Sequence, residues 1–244
     1  MATYIDLTNE LLRRLNEVVI DQNDFPAVRN IQALAKDAIN SSIRKIIQSA
    51  QEWPFTLTTY SQTLTAGTRE YDFPADMSSV DWDSFYIKQL ASKSNQPQKL
   101  SVIPYTEYLF RYRPDDETGD EGSGIAIPFR VYQTQEEKFG VTPSPNDAYV
   151  VEYKYWTFPT SLNLYTDTAV IPDRFNHVII DGAMMYMMRF RSNEQSAQIH
   201  QNDFDEGIKM MRRLLVDDKL FVRSTYKPRS TFNSYALRVV VDGG

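Results

Sequence analysis

The spacing of apolar residues changes twice along this chain, and these changes limit the folds that it can adopt. Residues 4–19 place Ile, Leu and Val at three- and four-residue steps between charged side chains, which predicts an amphipathic helix. A second helix is predicted from about Pro26 to Trp53, since Pro is tolerated in a first helical turn and Pro54 disfavours helix for the residue before it.

Helical spacing returns at Pro172 and stops at residues 192–193, and a last helix is predicted over residues 193–215. Four methionines fall on several faces of the third helix, so either a protein core or a subunit contact accounts for them: Met184, Met185, Met187 and Met188. Each predicted helix has a single apolar stripe. The four helices should therefore pack on one another.

Between the two helix pairs the sequence has the pattern of strands. β-Branched and aromatic residues dominate, and turn signals such as Ala66-Gly67-Thr68 and residues 143–147 separate the runs. The predicted fold class is α+β: a four-helix bundle with an inserted antiparallel β domain and an extended C-terminal arm. The corresponding segments are 1–54 (first helix pair), 55–158 (β domain), 159–218 (second helix pair) and 219–244 (arm).

The arm is basic and aromatic, although the whole chain has a net charge of −6. A disordered tail is normally poorer in aromatic and β-branched residues, so we expect the arm to become ordered on a partner. Packing over its own domain and weak binding to nucleic acid remain alternatives. The candidate binding residues are Phe221, Arg223, Tyr226, Lys227, Arg229, Phe232, Tyr235 and Arg238.

Composition excludes several functional classes. There is no cysteine, which removes disulfides, thiolate nucleophiles and cysteine zinc sites, and is compatible with assembly in a reducing cytoplasm. The sequence predicts neither a secretion signal nor a membrane span. The acidic balance argues against a chain-wide nucleic-acid binder, and the acidic block at residues 115–121 predicts a loop to which we assign no function.

Residue patterns for catalysis are sparse. His177 and His200 do not have metal-ligand spacing, and no glycine-rich phosphate loop occurs. A metal-dependent nuclease could use paired carboxylates, but a solvated surface explains the same residues: Asp81, Asp83, Asp203, Asp205 and Glu206. The sequence therefore predicts no enzyme activity, no cofactor and no metal.

Several stretches together resemble the head-to-tail adaptor (connector) family of tailed bacteriophages, of the short-tailed type. The stretches are Glu52-Trp53-Pro54-Phe55, Ala66-Gly67-Thr68 through Phe73-Pro74, Val80-Asp81-Trp82-Asp83-Ser84-Phe85, Tyr153-Lys154-Tyr155-Trp156, and Ile171-Pro172-Asp173-Arg174-Phe175 through Asp181-Gly182-Ala183.

The resemblance implies a non-enzymatic virion protein at the head–tail junction. It would form a homo-oligomeric ring, with twelve subunits expected, between the portal protein and the tail nozzle or fibres, and viral DNA would pass through its channel without sequence-specific binding. It also implies that the arm reaches the portal. Another tail subunit (a tail-tube or tail-completion protein) is the nearest alternative, followed by a nuclease and by a DNA- or carbohydrate-binding module.

Overall fold

The structure is a computed structural model that describes residues 2–50, 52–88, 97–113 and 125–216. Its helices are α1 (Tyr4–Arg14), α2 (Asn30–Ser49), α3 (Tyr105–Glu107), α4 (Asn176–Phe190) and α5 (Glu194–Leu215). Short 3-10 turns occupy Phe25–Ala27, Pro54–Thr56 and Asp173–Phe175, and a π-helical turn, Tyr108–Tyr112, continues α3.

The strands follow one another between α2 and α4. They are β1 (Leu57–Thr63), β2 (Glu70–Tyr71), β3 (Met77–Ile87), β4 (Gln98–Lys99), β5 (Ser101–Val102), β6 (Ile125–Ala126), β7 (Arg130–Gln133), β8 (Phe139–Thr142), β9 (Ser144–Pro145) and β10 (Val150–Thr157). The predicted α+β class is confirmed by this mixture of helices and sheets.

The strands form two four-stranded sheets, in the orders β1-β10-β3-β4 and β2-β8-β7-β5, and a two-stranded β6-β9 sheet. Most pairs are antiparallel, as predicted. The prediction was wrong for β5 with β7 and for β6 with β9, which pair in parallel. Parallel neighbours require a long connection between the strands, and local turn signals do not reveal such a pairing.

The four long helices share one hydrophobic cluster. Its buried side chains come from every one of them and include Leu11, Leu12, Ile39, Ile46, Ile179, Met187, Phe204 and Met211. Met184 and Met187 belong to this cluster and Met185 is also buried, which confirms the core explanation for these methionines. Burial of such side chains is the main stabilising term for the helices.

A second cluster lies between the two larger sheets and is mostly aromatic. Phe85 and Tyr153 come from the first sheet and stack at 4.5 Å between ring centroids, while Phe139 comes from the second. The Tyr132 ring packs directly on the backbone of Gly140. A Cβ at that position would lie 2.2 Å from Cζ of Tyr132, so a larger residue would not fit. Tyr108 stacks on the same Tyr132 ring and so fixes the π-helical turn against the sheet.

The first helix ends at Arg14, five residues before the predicted end. Asn16 has a φ of 57°, a left-handed conformation that ends the helix. Asn9 then holds the following segment through two hydrogen bonds, accepting from the Ile20 amide at 2.8 Å and donating to its carbonyl at 3.0 Å. Val18 is left 75% exposed, because the segment is not helical.

The start of the second helix was also predicted too early. Pro26 lies in a separate 3-10 turn, and Val28 has an extended conformation with ψ of 148°. Asn30, the first residue of α2, has a φ of 54°. The helix predicted from Pro172 also starts later, since a 3-10 turn, Asp173–Phe175, leads directly into α4.

Candidate assembly surfaces

The predicted arm lies outside the described residues, as does the acidic block at 115–121. All eight candidate arm residues, from Phe221 to Arg238, are therefore without a described position.

Of the carboxylates considered for a nuclease, only Asp203 and Glu206 line a common cavity among those found in the described residues. Asp203 and Glu206 line a cavity of about 550 Å³ together with His177, and Lys209 and Arg213 line the same cavity. His200 and Asp205 are not among its lining residues. Across residues 2–50, 52–88, 97–113 and 125–216, no group of three or more His, Asp or Glu side chains could hold a metal ion.

Glu152 is a buried carboxylate in β10 that accepts three side-chain hydrogen bonds. Its neighbours across β1 and β3 are Ser61 and Tyr86. Both hydroxyls donate to the carboxylate, Ser61 at 3.0 Å, and Lys88 Nζ donates at 2.8 Å. The Lys88 ammonium, followed by the Tyr86 hydroxyl, lowers the pKa of Glu152 to about 2. This cluster ties three adjacent strands together.

A polar network fixes the long connection between β10 and α4 to the first helix pair. Asn40 on α2 both donates to the Leu162 carbonyl, at 3.0 Å, and accepts from the Leu162 amide, at 2.9 Å. The Tyr4 amide donates to the Asp167 carbonyl at 2.7 Å, and the Tyr4 hydroxyl accepts from Asn40. Burial raises the pKa of Tyr4. The helices and the connection therefore form one bonded unit.

Three exposed apolar residues lie along one face of α5, which also carries the exposed Asp203 and Glu206. Ile199, Met210 and Leu214 are each more than half exposed and lie away from the side that buries Phe204 and Ile208. We call these three residues the α5 stripe. Exposed apolar residues aligned on one helix face are typical of an interaction surface.

A second, partly exposed cluster lies beside the sheets. The Arg130 guanidinium carbon is 4.3 Å from the centre of the Tyr112 ring and 4.2 Å from that of Phe129, within the range of cation–π contacts. Phe110, two residues from Tyr112, is 85% exposed. We call Tyr112, Phe129 and Arg130 the arginine–aromatic cluster. Arginine and aromatic side chains are enriched at protein interfaces.

Sequence reasoning missed these sites. A glutamate within the run Val150-Val151-Glu152-Tyr153 was a usable signal, because a charged residue on a largely buried strand needs partners. The arginine–aromatic cluster had no local signal, since it depends on how the segment after α3 meets the start of β7.

The candidate sites of the described residues are therefore exposed apolar and aromatic surfaces. It belongs to the SU10 adaptor protein family, whose family model matches residues 2–227. This membership confirms the resemblance to phage head-to-tail adaptors and identifies a structural adaptor protein of bacteriophage. No curated protein matches the chain.

The match includes the beginning of the predicted arm. Phe221, Arg223, Tyr226 and Lys227 fall inside it, whereas Arg229, Phe232, Tyr235 and Arg238 follow its last matched residue. Within the described ranges, none of the helices combines the length and the apolar character needed to cross a bilayer.

Proposed function

We propose that this chain is a non-enzymatic head-to-tail adaptor that forms a ring, of twelve copies, between the portal and the tail nozzle of a tailed phage. The observation that carries the proposal is the family match over residues 2–227. The protein acts in the virion after assembly in the host cytoplasm. Its ring provides a channel for genome ejection and attachment sites for the nozzle and fibres.

In this proposal the chain is built as a four-helix bundle with an insertion. Segments 1–54 and 159–218 supply α1, α2, α4 and α5, and segment 55–158 is the β domain. The hydrophobic cluster shared by the four helices supports this division, because a common core makes them one packing unit. The separate aromatic cluster between the sheets also supports this division, because it gives the β domain a core of its own.

Ring closure needs two different surfaces on each subunit. A rotationally repeated contact is heterologous, so one face of a subunit must meet another face of its neighbour. The α5 stripe presents three exposed apolar side chains, and the arginine–aromatic cluster holds the Arg130 guanidinium against the Tyr112 and Phe129 rings. We assign these two surfaces to the contacts between neighbouring subunits.

The arm makes the contact with the portal. Residues 219–241 contain Lys219, Arg223, Lys227, Arg229 and Arg238 without any acidic residue, in a chain whose net charge is −6. Basic side chains between aromatic ones can anchor on an acidic protein surface through rings and charge together. DNA crosses the ring without being held, since an acidic protein repels phosphate groups.

Removal of residues 219–244 tests the portal contact. We expect the truncated chain to keep the circular dichroism spectrum and solubility of the full chain, and to lose binding to the portal in a co-sedimentation assay. A chain with Val18→Asp, a change at an exposed residue between α1 and α2, serves as the control that should still bind. Full-affinity binding by the truncated chain would contradict the role of the arm.

A further inference from the structure

The second sheet has an open edge that faces a gap in the protein. The Leu100 amide donates to the Phe85 carbonyl on β3, whereas the amides of Ser101 and Ile103 donate to Phe129 and Val131 on the opposite side. Alternation along a strand turns the N–H and C=O of Val102 back towards β3. However, β5 pairs with β7 alone among the strands of the described residues. The Val102 peptide therefore faces the gap.

This gap is the site of a groove. A cavity of about 610 Å³ lies beside β5, with Trp82, Val102, Ile103 and Tyr105 among its lining residues. A smaller cavity of about 320 Å³ shares Trp82 and Gln133 with it, so the two form one continuous depression over the Trp82 ring. Val102 is 43% exposed beside it. An open strand edge next to apolar pockets is the arrangement that binds an extended segment as an added strand.

The chain contains a segment with the matching pattern. Residues 235–241 place large apolar side chains at every second position, Tyr235, Leu237, Val239 and Val241, and the positions between them are Ala236, Arg238 and Val240. This pattern is close to that of a half-buried strand. Such a strand offers peptide groups to the Val102 edge and places every second side chain in the groove. In this pairing, Arg238 would lie on the opposite face of the strand, away from the groove.

The length of chain after α5 is sufficient for this contact. Residues 217–234 can span about 60 Å when extended, whereas a compact chain of this size has a radius of gyration of about 17 Å. Tethering raises the effective concentration of the segment to the order of 1 mM, far above that of a second copy in dilute solution. The same chain is therefore the favoured source of the strand.

We propose that, before assembly, residues 235–241 pair with the Val102 edge of their own chain and occupy the groove over Trp82. This contact protects an exposed strand edge and an apolar segment from pairing between copies. It concerns the free chain and does not depend on which partner the arm later meets.

Disulfide crosslinking tests the contact without background, because the sequence has no cysteine. Val102→Cys is combined in turn with Leu237→Cys, Arg238→Cys, Val239→Cys and Val240→Cys, and each full-length variant is oxidised in dilute solution. Residues opposite one another on neighbouring strands come close enough for a disulfide, and their side chains alternate between faces. We expect a crosslink within one chain that forms efficiently at alternate arm positions.

The matched control replaces Val102→Cys by Val18→Cys, at a residue that is 75% exposed and does not line the groove. Oxidation should be roughly ten-fold faster for the best Val102 pair than for any Val18 pair. Equal rates at all four arm positions, or rates equal to the control, would overturn the proposal. Crosslinks formed between chains alone would assign the strand to a neighbour and also overturn it.

Discussion

The helical core and the sheet core of this protein are stabilised by different kinds of side chain. The helices pack through aliphatic residues such as Leu12, Ile39 and Ile179, whereas the sheets pack through stacked and tilted rings of Phe85, Phe139 and Tyr153. Aliphatic cores tolerate substitutions that conserve volume. Ring packing adds a dependence on geometry, so we expect the sheet core to be the more sensitive to loss of a single side chain.

The largest effect is expected for Phe85→Ala. The Phe85 ring stacks on Tyr153 at 4.5 Å and on Trp82 at 5.5 Å, and it is fully buried. Its removal should lower the free energy of unfolding by about 3–5 kcal/mol, measured by urea denaturation. Phe110→Ala is the control, because Phe110 is 85% exposed and its loss should change stability by at most about 0.5 kcal/mol. Equal effects of the two changes would remove the special role of the ring cluster.

In the helical core, the sharpest test is Gly182→Ala. A Cβ on Gly182 would lie 2.3 Å from Oγ of Ser42 and 2.6 Å from the Phe204 ring, where α2, α4 and α5 meet. Overpacking costs about 1–3 kcal/mol, partly offset by the better helix propensity of Ala, so we expect destabilisation of about 2 kcal/mol. Gln195→Ala, at an exposed position of α5, should be nearly neutral in the same thermal and urea experiments. A stabilising Gly182→Ala would show that the helices can separate easily.

Glu152→Gln should destabilise the sheets by about 1.5 kcal/mol at pH 7, since it removes the charge from three hydrogen bonds. The pKa of Glu152 is lowered to about 2, below the value of about 4.3 in an unfolded chain. Its contribution is therefore complete above about pH 5 and is lost as the pH falls towards 2. Urea denaturation at several pH values should show the wild type and the variant converging in acid.

Glu136→Gln is the matched control for this pH experiment. Glu136 also pairs with a lysine, Lys138, at 3.0 Å, but its side chain is 74% exposed. Such surface pairs contribute little, so the stability of this variant should follow the wild type at every pH. A constant difference between wild type and Glu152→Gln from pH 7 to pH 3 would rule out the ionised carboxylate as the source of stability.

The smallest effect is expected at the start of α1. Thr3 and Asp6 form a capping box, in which the Asp6 amide donates to the Thr3 hydroxyl and the Thr3 amide donates to the Asp6 carboxylate. Thr3→Ala should lower the unfolding free energy by about 1 kcal/mol. Thr160→Ala, at an exposed threonine outside any helix, provides the comparison. No difference between these two variants would mean that tertiary contacts alone hold the helix start.

The sequence predicted the helices better at their centres than at their ends. Single apolar stripes marked α4 and α5, and the predicted bounds of the last helix, residues 193–215, agree closely with Glu194–Leu215, where the Asn193 side chain caps the helix by accepting from the Ser196 amide. The end of α1 depends on Asn9 bonding to Ile20, a contact between separated residues that periodicity does not contain. The parallel pairing of β5 with β7 was unpredictable for the same reason.

The candidate sites were harder to predict than the fold. The sequence marked the arm through its unusual composition, but the eight residues named there lie outside the described part of the chain and remain a prediction. The α5 stripe was not predicted, because all apolar residues of the last helix were assigned to a single buried stripe. Only the structure separates the buried Phe204 and Ile208 from the exposed Met210 and Leu214.

The central claim is ring assembly on the portal, and light scattering tests it most directly. The mass of the purified chain would be measured alone and then after mixing with the portal protein of the same phage. We expect mixing to produce one complex, whose mass equals the portal plus a complete ring of this chain. A chain that keeps its own mass in the mixture and never joins the portal would contradict ring assembly.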